Sequence, residues 1–264
     1  MTTVRKLEPY EDDRGNRILY AGQHPEARID ILFVGERNTL VVDDSARFKR
    51  LSVRFDANDG TARLGTSRGR AIETSIRVGQ DSTVTFGDGV STTSVLLVSA
   101  VEGASVTIGD DVMFASGNQL RSDDAHPIFD VRTGLRVNPA RDISIGSHVW
   151  MAREAVALGG ARIGSGSVIG YRALVTGRVP NNAIAAGMPA RVLRRDIAWE
   201  RPHLSLTKPY YKPDASTVTR SEEFWALTVD DERGPDTGSM PHITARTSRG
   251  GSLLRRVRDA IRPR

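Results

Sequence analysis

Cysteine is absent from the 264 residues, which excludes disulfide scaffolds, thiolate metal sites and a cysteine nucleophile, and leaves the redox compartment unmarked. Aromatic residues make up only 6%, and no run approaches the roughly 18 uncharged apolar residues that span a bilayer. The start, MTTVRKLEPYEDD, lacks an apolar signal core, so a soluble cytoplasmic protein is the expectation. Lysine is scarce too, with four residues against 33 Arg. Glycine, by contrast, is plentiful at 25 residues, which suits short β segments and tight turns and disfavours a bundle of long helices.

The net charge of +5 suggests a nucleic-acid binder until it is located. Residues 241–264 carry seven Arg and one Asp, and the body without them holds 30 basic against 31 acidic residues. A body at −1 has no excess charge to hold a phosphate backbone, so no nucleic-acid partner is expected. In the tail, Leu253, Leu254, Val257 and Ile261 fall at helical spacing among arginines. That pattern reads either as a flexible soluble end or as a short basic amphipathic helix contacting an anionic inner membrane face or an acidic glycan.

The strongest signal is a repeat. From Ile145, aliphatic residues recur every sixth position: Ile145, Met151, Ala157, Ile163, Ile169 and Val175. A second row, Val149, Ala155, Ala161, Ser167, Ala173 and Val179, trails by four. This period is neither 3.6 nor 2. It fits a chain that makes a short strand, turns about 120° at a small residue and begins the next strand, three hexads closing one triangular coil. Upstream, Val42, Leu64, Phe86 and Ile108 recur at a longer constant step, every twenty-second position, and Ile76, Val98 and Leu120 keep the same step. These rows read as longer coils of the same solenoid. The predicted fold is all-β, a parallel β-helix over 30–195, with an N-terminal cap at 1–29, a projecting loop at 123–142 and a partly irregular C-terminal extension at 196–264.

The run VWMAREAVALGGARIGSGSVIGYRALVTGRVPNNAIAAGMPARVLR, from Val149 to Arg194, together with RSDDAH at 121–126, resembles the hexapeptide-repeat acyltransferases, enzymes with a left-handed parallel β-helix. TGLRVNPARDISIGSHVW at 133–150 is similar to the sugar and capsular-polysaccharide O-acetyltransferases among them. The resemblance implies acetyl-CoA as co-substrate, no metal, a sugar or glycan acceptor, and a homotrimer with each active site between neighbouring rods. An N-acetyltransferase acting on an amino sugar is the alternative chemistry, and a non-catalytic solenoid the alternative class. The five histidines, at 24, 126, 148, 203 and 242, offer no closely spaced pair for the three-histidine zinc site of a β-helical carbonic anhydrase. Residues 1–40 are too short for the nucleotide domain of a nucleotidyltransferase.

Acyl transfer from a thioester to a hydroxyl needs a base and a donor for the developing oxyanion. The resemblance places the catalytic histidine at His126, which otherwise reads as a turn cap or a solvated loop residue. Asp124 either orients the imidazole or forms the turn before Pro127. Trp150 stands at the distance along the chain from His126 that the resemblance associates with a tryptophan lining the site; ordinary packing is the alternative. His148 reads as solvated or structural. By the same carry-over, Arg191 and Arg194 meet the nucleotide phosphates, Arg153 and Tyr171 offer main chain to the pantetheine, and Thr176 and Gly177 touch the coenzyme. Two departures stand out: Tyr171 replaces the small residue usual after IG, and Gly177 stands where the family often has Lys, with Arg178 beside it.

Overall fold

The computed structural model describes residues 1–23, 27–206, 208, 210 and 218–229. The chain winds as a left-handed β-helix of about 7 turns; the early coils alternate between two sheets, and from Ser91–Thr92 onward each coil also visits a third. The first sheet has eight strands, the second nine and the third six. Nearly all neighbours pair parallel. The antiparallel exceptions lie at the ends: Thr2–Val4 on Arg28–Phe33, Tyr10–Glu11 on Arg17–Leu19, and Arg191–Arg194 on Ile184–Ala186. The first two sets bond directly onto the first and second sheets, and the last covers the final edge of the third, so the terminal strands are less open to further pairing.

The longer sequence step is one early coil, and three of the six-residue steps make one later coil. Val42, Leu64, Phe86, Ile108, Ile145 and Ile163 are lateral partners in the second sheet, and Ile76, Val98, Leu120, Ala157 and Val175 in the first. All are buried, because period-2 alternation sends every second side chain into the prism. The long early coils use strands of 7 and 8 residues in the first sheet, Ile72–Val78 and Phe48–Phe55, where the later coils use 2 or 3. One register differs from the six-residue reading. Val179 pairs with Ile163, a shorter step along the chain than the one from Ile145 to Ile163. It therefore belongs to the inward rank of the second sheet, not to the row of small corner residues, because this coil is shorter than three full hexads.

The corners are held by ladders of side-chain oxygens, each accepting a backbone N–H from the coil before: Thr66 N–H donates to Asp88 (2.9 Å), Asp88 to Asp110 (2.7 Å), Asp110 to Ser147 (3.1 Å) and Ser147 to Ser165 (3.1 Å). The glycine preceding each rung is required by close approach. A Cβ on Gly164 would collide with the amide nitrogen of Asn181. At 123–142 the chain leaves the corner between first and second sheets and returns at Ile143–Ile145. This excursion is pinned to the coil by Arg136 to Glu102 (2.9 Å) and Ala140 N–H to Glu102 (3.2 Å). Beyond Arg195 the extension folds back along the corner between second and third sheets as a strap, with single 3-10 turns at Leu204–Leu206 and Glu222–Phe224. No helix among the described residues is long and apolar enough to cross a membrane.

Candidate functional site

Strand register builds a track on the outer face of the third sheet. Met113, Trp150, Val168, Ile184 and Arg194 are successive lateral partners, and none of them is buried. Trp150 and Arg194 stand three strand steps apart, roughly 14 Å at about 4.8 Å per step. Arg191 and Arg194 differ by three residues, which in a regular strand would point them to opposite faces. A bulge intervenes: Arg191 pairs with Ala186, Val192 with Ala185 and Arg194 with Ile184, so the extra residue returns both arginines to one side. The track thus runs from an indole, over Val168 and Ile184, to two exposed guanidinium groups.

Beside it, at the corner between third and first sheets, lie Arg153 and Tyr171, both exposed. Their amide N–H groups have no partner among the described residues. The Arg153 Nε donates to Glu154 (3.1 Å), which also binds Arg172 (2.5 Å), and the Arg153 side chain stays largely exposed. The Arg172 guanidinium lies over the Tyr171 ring at 5.1 Å.

His126, Asp124, Thr176 and Gly177 are elsewhere, at the corner between first and second sheets. One chain therefore does not bring its histidine to its own Trp150. The His126 ring is exposed and meets no hydrogen-bond partner among the described residues. Its backbone is fixed firmly. Asp123 is buried and accepts from Ser99 Oγ (3.0 Å) and Ala125 N–H (2.9 Å), with Ala125 in the left-handed region at φ 63°. The Asp124 carboxylate accepts from Asn138 Nδ2 (3.0 Å), not from the His126 ring, so within this chain it acts as a turn member. Asn138 is a residue that the sequence reading passed over: its Nδ2 also donates to the His126 carbonyl (2.9 Å), and its Oδ1 accepts from Ile128 N–H (2.7 Å). One amide spans both limbs of the loop, and its only trace in the sequence is an Asn before Pro139. Gly177 is open, with nothing within 4 Å of where a Cβ would stand.

His148 proves structural and buried. It occupies a left-handed corner position (φ 52°) that Asp111, Gly166 and Asn182 share in kind, a conformation His and Asx residues tolerate better than most. Its ring is stacked between Trp199 (4.2 Å) and Phe224 (4.5 Å) of the strap. The Nδ1 lies 2.7 Å from Asp111 Oδ2, and Nε2–H donates to the Trp199 carbonyl at 3.0 Å. Arg68, Asp111, His148, Glu200, Arg201 and Arg220 help line a cavity of about 520 Å³ here. Burial pushes Asp111 upward, but the hydrogen bond from His148 and the Arg201 and Arg68 guanidinium groups more than offset it and hold the carboxyl below its usual range. For Glu200, burial is likewise outweighed by the N–H and hydroxyl of Ser221 and the Trp225 indole. The described residues contain no group of His, Asp and Glu arranged to hold a metal ion.

A triangular parallel β-helix with a histidine on a projecting loop and an indole-to-arginine track on one face defines the class, left-handed β-helix proteins of the acyltransferase type. No protein-family model matches the chain. A stretch of 96 residues is 41% identical to a polysialic acid O-acetyltransferase of Escherichia coli O1:K1, covering 36% of this chain and 31% of that protein. The match thus spans about a third of that curated relative's length. The crystal structure of the polysialic-acid-specific acetyltransferase NeuO is 33% identical with a TM-score of 0.65, over 74% of this chain and 91% of that one. The polysialic acid O-acetyltransferase OatWY shares the fold at 23% identity and a TM-score of 0.65, over 80% and 96% of the two chains. The chain belongs to the hexapeptide-repeat O-acetyltransferase family.

Proposed function

We propose that this protein transfers an acetyl group from acetyl-CoA to a hydroxyl of a sugar or polysaccharide, at sites assembled between neighbouring chains of a homotrimer. The observation that carries the reading is the track on the third sheet. Roughly 14 Å of apolar floor between Trp150 and the Arg191/Arg194 pair suits a thin pantetheine arm, with guanidinium forks at the phosphate end and the free amides of Arg153 and Tyr171 along its edge. Bound there, acetyl-CoA supplies a thioester carbonyl as the electrophile near Trp150. His126, arriving from the adjacent chain, takes the acceptor hydroxyl's proton as the oxygen attacks. A C–O bond forms, the C–S bond breaks, and His126 returns the proton to the departing sulfur. The Trp150 indole N–H has no partner among the described residues and can donate to a group bound in the groove. Asn138 and Asp123 hold the His126 loop, while Asp124 completes its turn. Thr176 and Gly177, on the histidine-bearing edge, close the groove from the other side.

The polysialic acid named in the relatives makes sialylated glycans the first acceptors to try. His126→Ala should lower turnover by about 10² to 10⁴ while leaving coenzyme affinity nearly unchanged. Near-normal rates in that variant, or no transfer by the parent protein to any of a panel of mono-, oligo- and polysaccharides, would overturn the reading.

A further inference from the structure

The C-terminal strap reaches the track. Trp199, only 8% exposed, stands with its ring 5.9 Å from that of Trp150 at an interplanar angle of 45°. The flanking residues of Trp150 in its own sheet, Met113 and Val168, are slender and present no flat wall to an indole. Trp199 does, and it is itself held from three directions. Its other side stacks on His148 at 4.2 Å with 15° between planes. Its Nε1–H donates to the His148 carbonyl (2.9 Å) while its own carbonyl accepts from His148 Nε2–H (3.0 Å). Two residues on, Arg201 ties the strap down through Asp111 Oδ1 (2.8 Å), the Asp111 carbonyl (2.6 Å) and Ser91 Oγ (2.9 Å).

From this column we infer that Trp199 is a positioning residue for Trp150: the strap acts in the reaction by fixing the indole that lines the acceptor end of the track. A half-exposed tryptophan on a sheet face otherwise exchanges between rotamers on the nanosecond scale. An edge contact to a buried, doubly hydrogen-bonded partner selects one. His148 and Asp111 then act one step further back, by holding Trp199. The inference rests on the acetyl-transfer reading for its catalytic consequence, but not for its geometry.

The two are separable by experiment. In protein labelled with 5-fluorotryptophan, the Trp150 resonance is assigned by its loss in Trp150→Phe. It should be a single narrow line in the parent and should shift and broaden in Trp199→Ala, with Trp199→Phe, which keeps the stack on His148, closer to the parent. An unchanged Trp150 line in Trp199→Ala overturns the inference whatever the enzymology. In turnover, Trp199→Ala should reduce kcat/KM for the acceptor by about three- to tenfold, the usual worth of an aromatic pair. In a Trp150→Ala background the same change should have no further effect, because it acts only through Trp150. Effects that multiply in the double variant would make Trp199 a general stabiliser and sink the proposal. If Trp199→Ala fails to fold by circular dichroism, the line-shape comparison and the cycle are run with Trp199→Leu, which also removes the ring, under the same criteria. Failure of the parent to acetylate any acceptor would instead remove the enzymatic reading, and the line shape alone would then decide the positioning role.

Discussion

If each site takes His126 from one chain and Trp150 from the next, two impaired variants should rescue each other. The structure motivates the test: the histidine loop leaves the corner between first and second sheets, whereas Trp150 stands in the third sheet. His126→Ala chains still carry Trp150, and Trp150→Ala chains still carry His126. When the two are mixed and allowed to form closed rings, a site is intact only where a Trp150→Ala chain donates the histidine to a His126→Ala neighbour. In a closed trimer holding both variants, in either ratio, that arrangement occurs once, or at about a third of the sites. The two variants, differently tagged, are co-expressed, the doubly tagged rings isolated, and acetyl transfer measured per chain with free thiol as the readout. Alone, the histidine variant should fall to about 1% or less of the parent. The mixed rings should recover roughly a third of parental turnover with an unchanged KM for acetyl-CoA, since each intact site is complete. Mixed rings no more active than the separate variants would place the whole site within one chain and refute the reasoning, as would a monomer in light scattering at micromolar concentration.

Four further outcomes are expected. Arg191→Ala and Arg194→Ala should each weaken coenzyme A binding about fivefold at low salt, as befits exposed pairs, yet leave acetyl-pantetheine, which lacks the nucleotide, unaffected; equal loss with both donors would take the arginines off the phosphates. Gly164→Ala should destabilise the fold by about 1–3 kcal/mol because its Cβ meets the next coil's backbone, whereas Gly177→Ala, with open space around it, should stabilise by about 0.4–1 kcal/mol; thermal melts of the two should move in opposite directions. The depressed carboxyls of Asp111 and Glu200 lend the strap stability that is fully present above the ordinary carboxylate range and is lost as pH falls through and below it. Tryptophan fluorescence should therefore report strap release below about pH 4, and Asp111→Asn with Glu200→Gln should abolish that transition while loosening the strap at neutral pH. Residues 241–264 lie outside the described residues; their deletion should spare turnover on a small acceptor and reduce low-salt sedimentation with anionic liposomes, and equal sedimentation of the two forms would discard a membrane contact.

The solenoid was legible because each coil repeats the same demand at the same spacing. An inward Ile145 predicts an inward Ile163 without knowledge of anything between them, and the ranks of the longer upstream coils follow the same logic. Where coil length changes, a fixed period misleads. Val179 kept the hydrophobic character expected of its row but stands inside the strand just past that corner, since a buried valine satisfies either position and only the strand pairing with Ile163 distinguishes them. The bulge at the last strand was invisible for a related reason. Alternation would have split Arg191 from Arg194, and nothing in RVLR signals the extra residue that reunites them. The resemblance supplied their pairing, and the register supplies the physical reason for it.

What escaped the sequence most completely was the strap, and the reason is one of information range. Trp199 and Phe224 lie far apart in a Pro-punctuated segment without period, and they close on an imidazole from position 148. Neither aromatic spacing nor charge marks that meeting, because a segment that adds no coil obeys no repeat. His148 taken by itself is a corner residue; with the strap in place it is the middle of a stack that reaches Trp150. The repeat builds a straight scaffold whose three faces differ little in backbone, and aperiodic additions make those faces unequal. The excursion at 123–142 gives one corner a histidine, and the strap gives the third sheet a fixed indole. A symmetric rod has no reason to bind one substrate along one groove, so its chemical asymmetry must come from the segments that break the period, which are also the segments whose contacts a periodic reading cannot foresee.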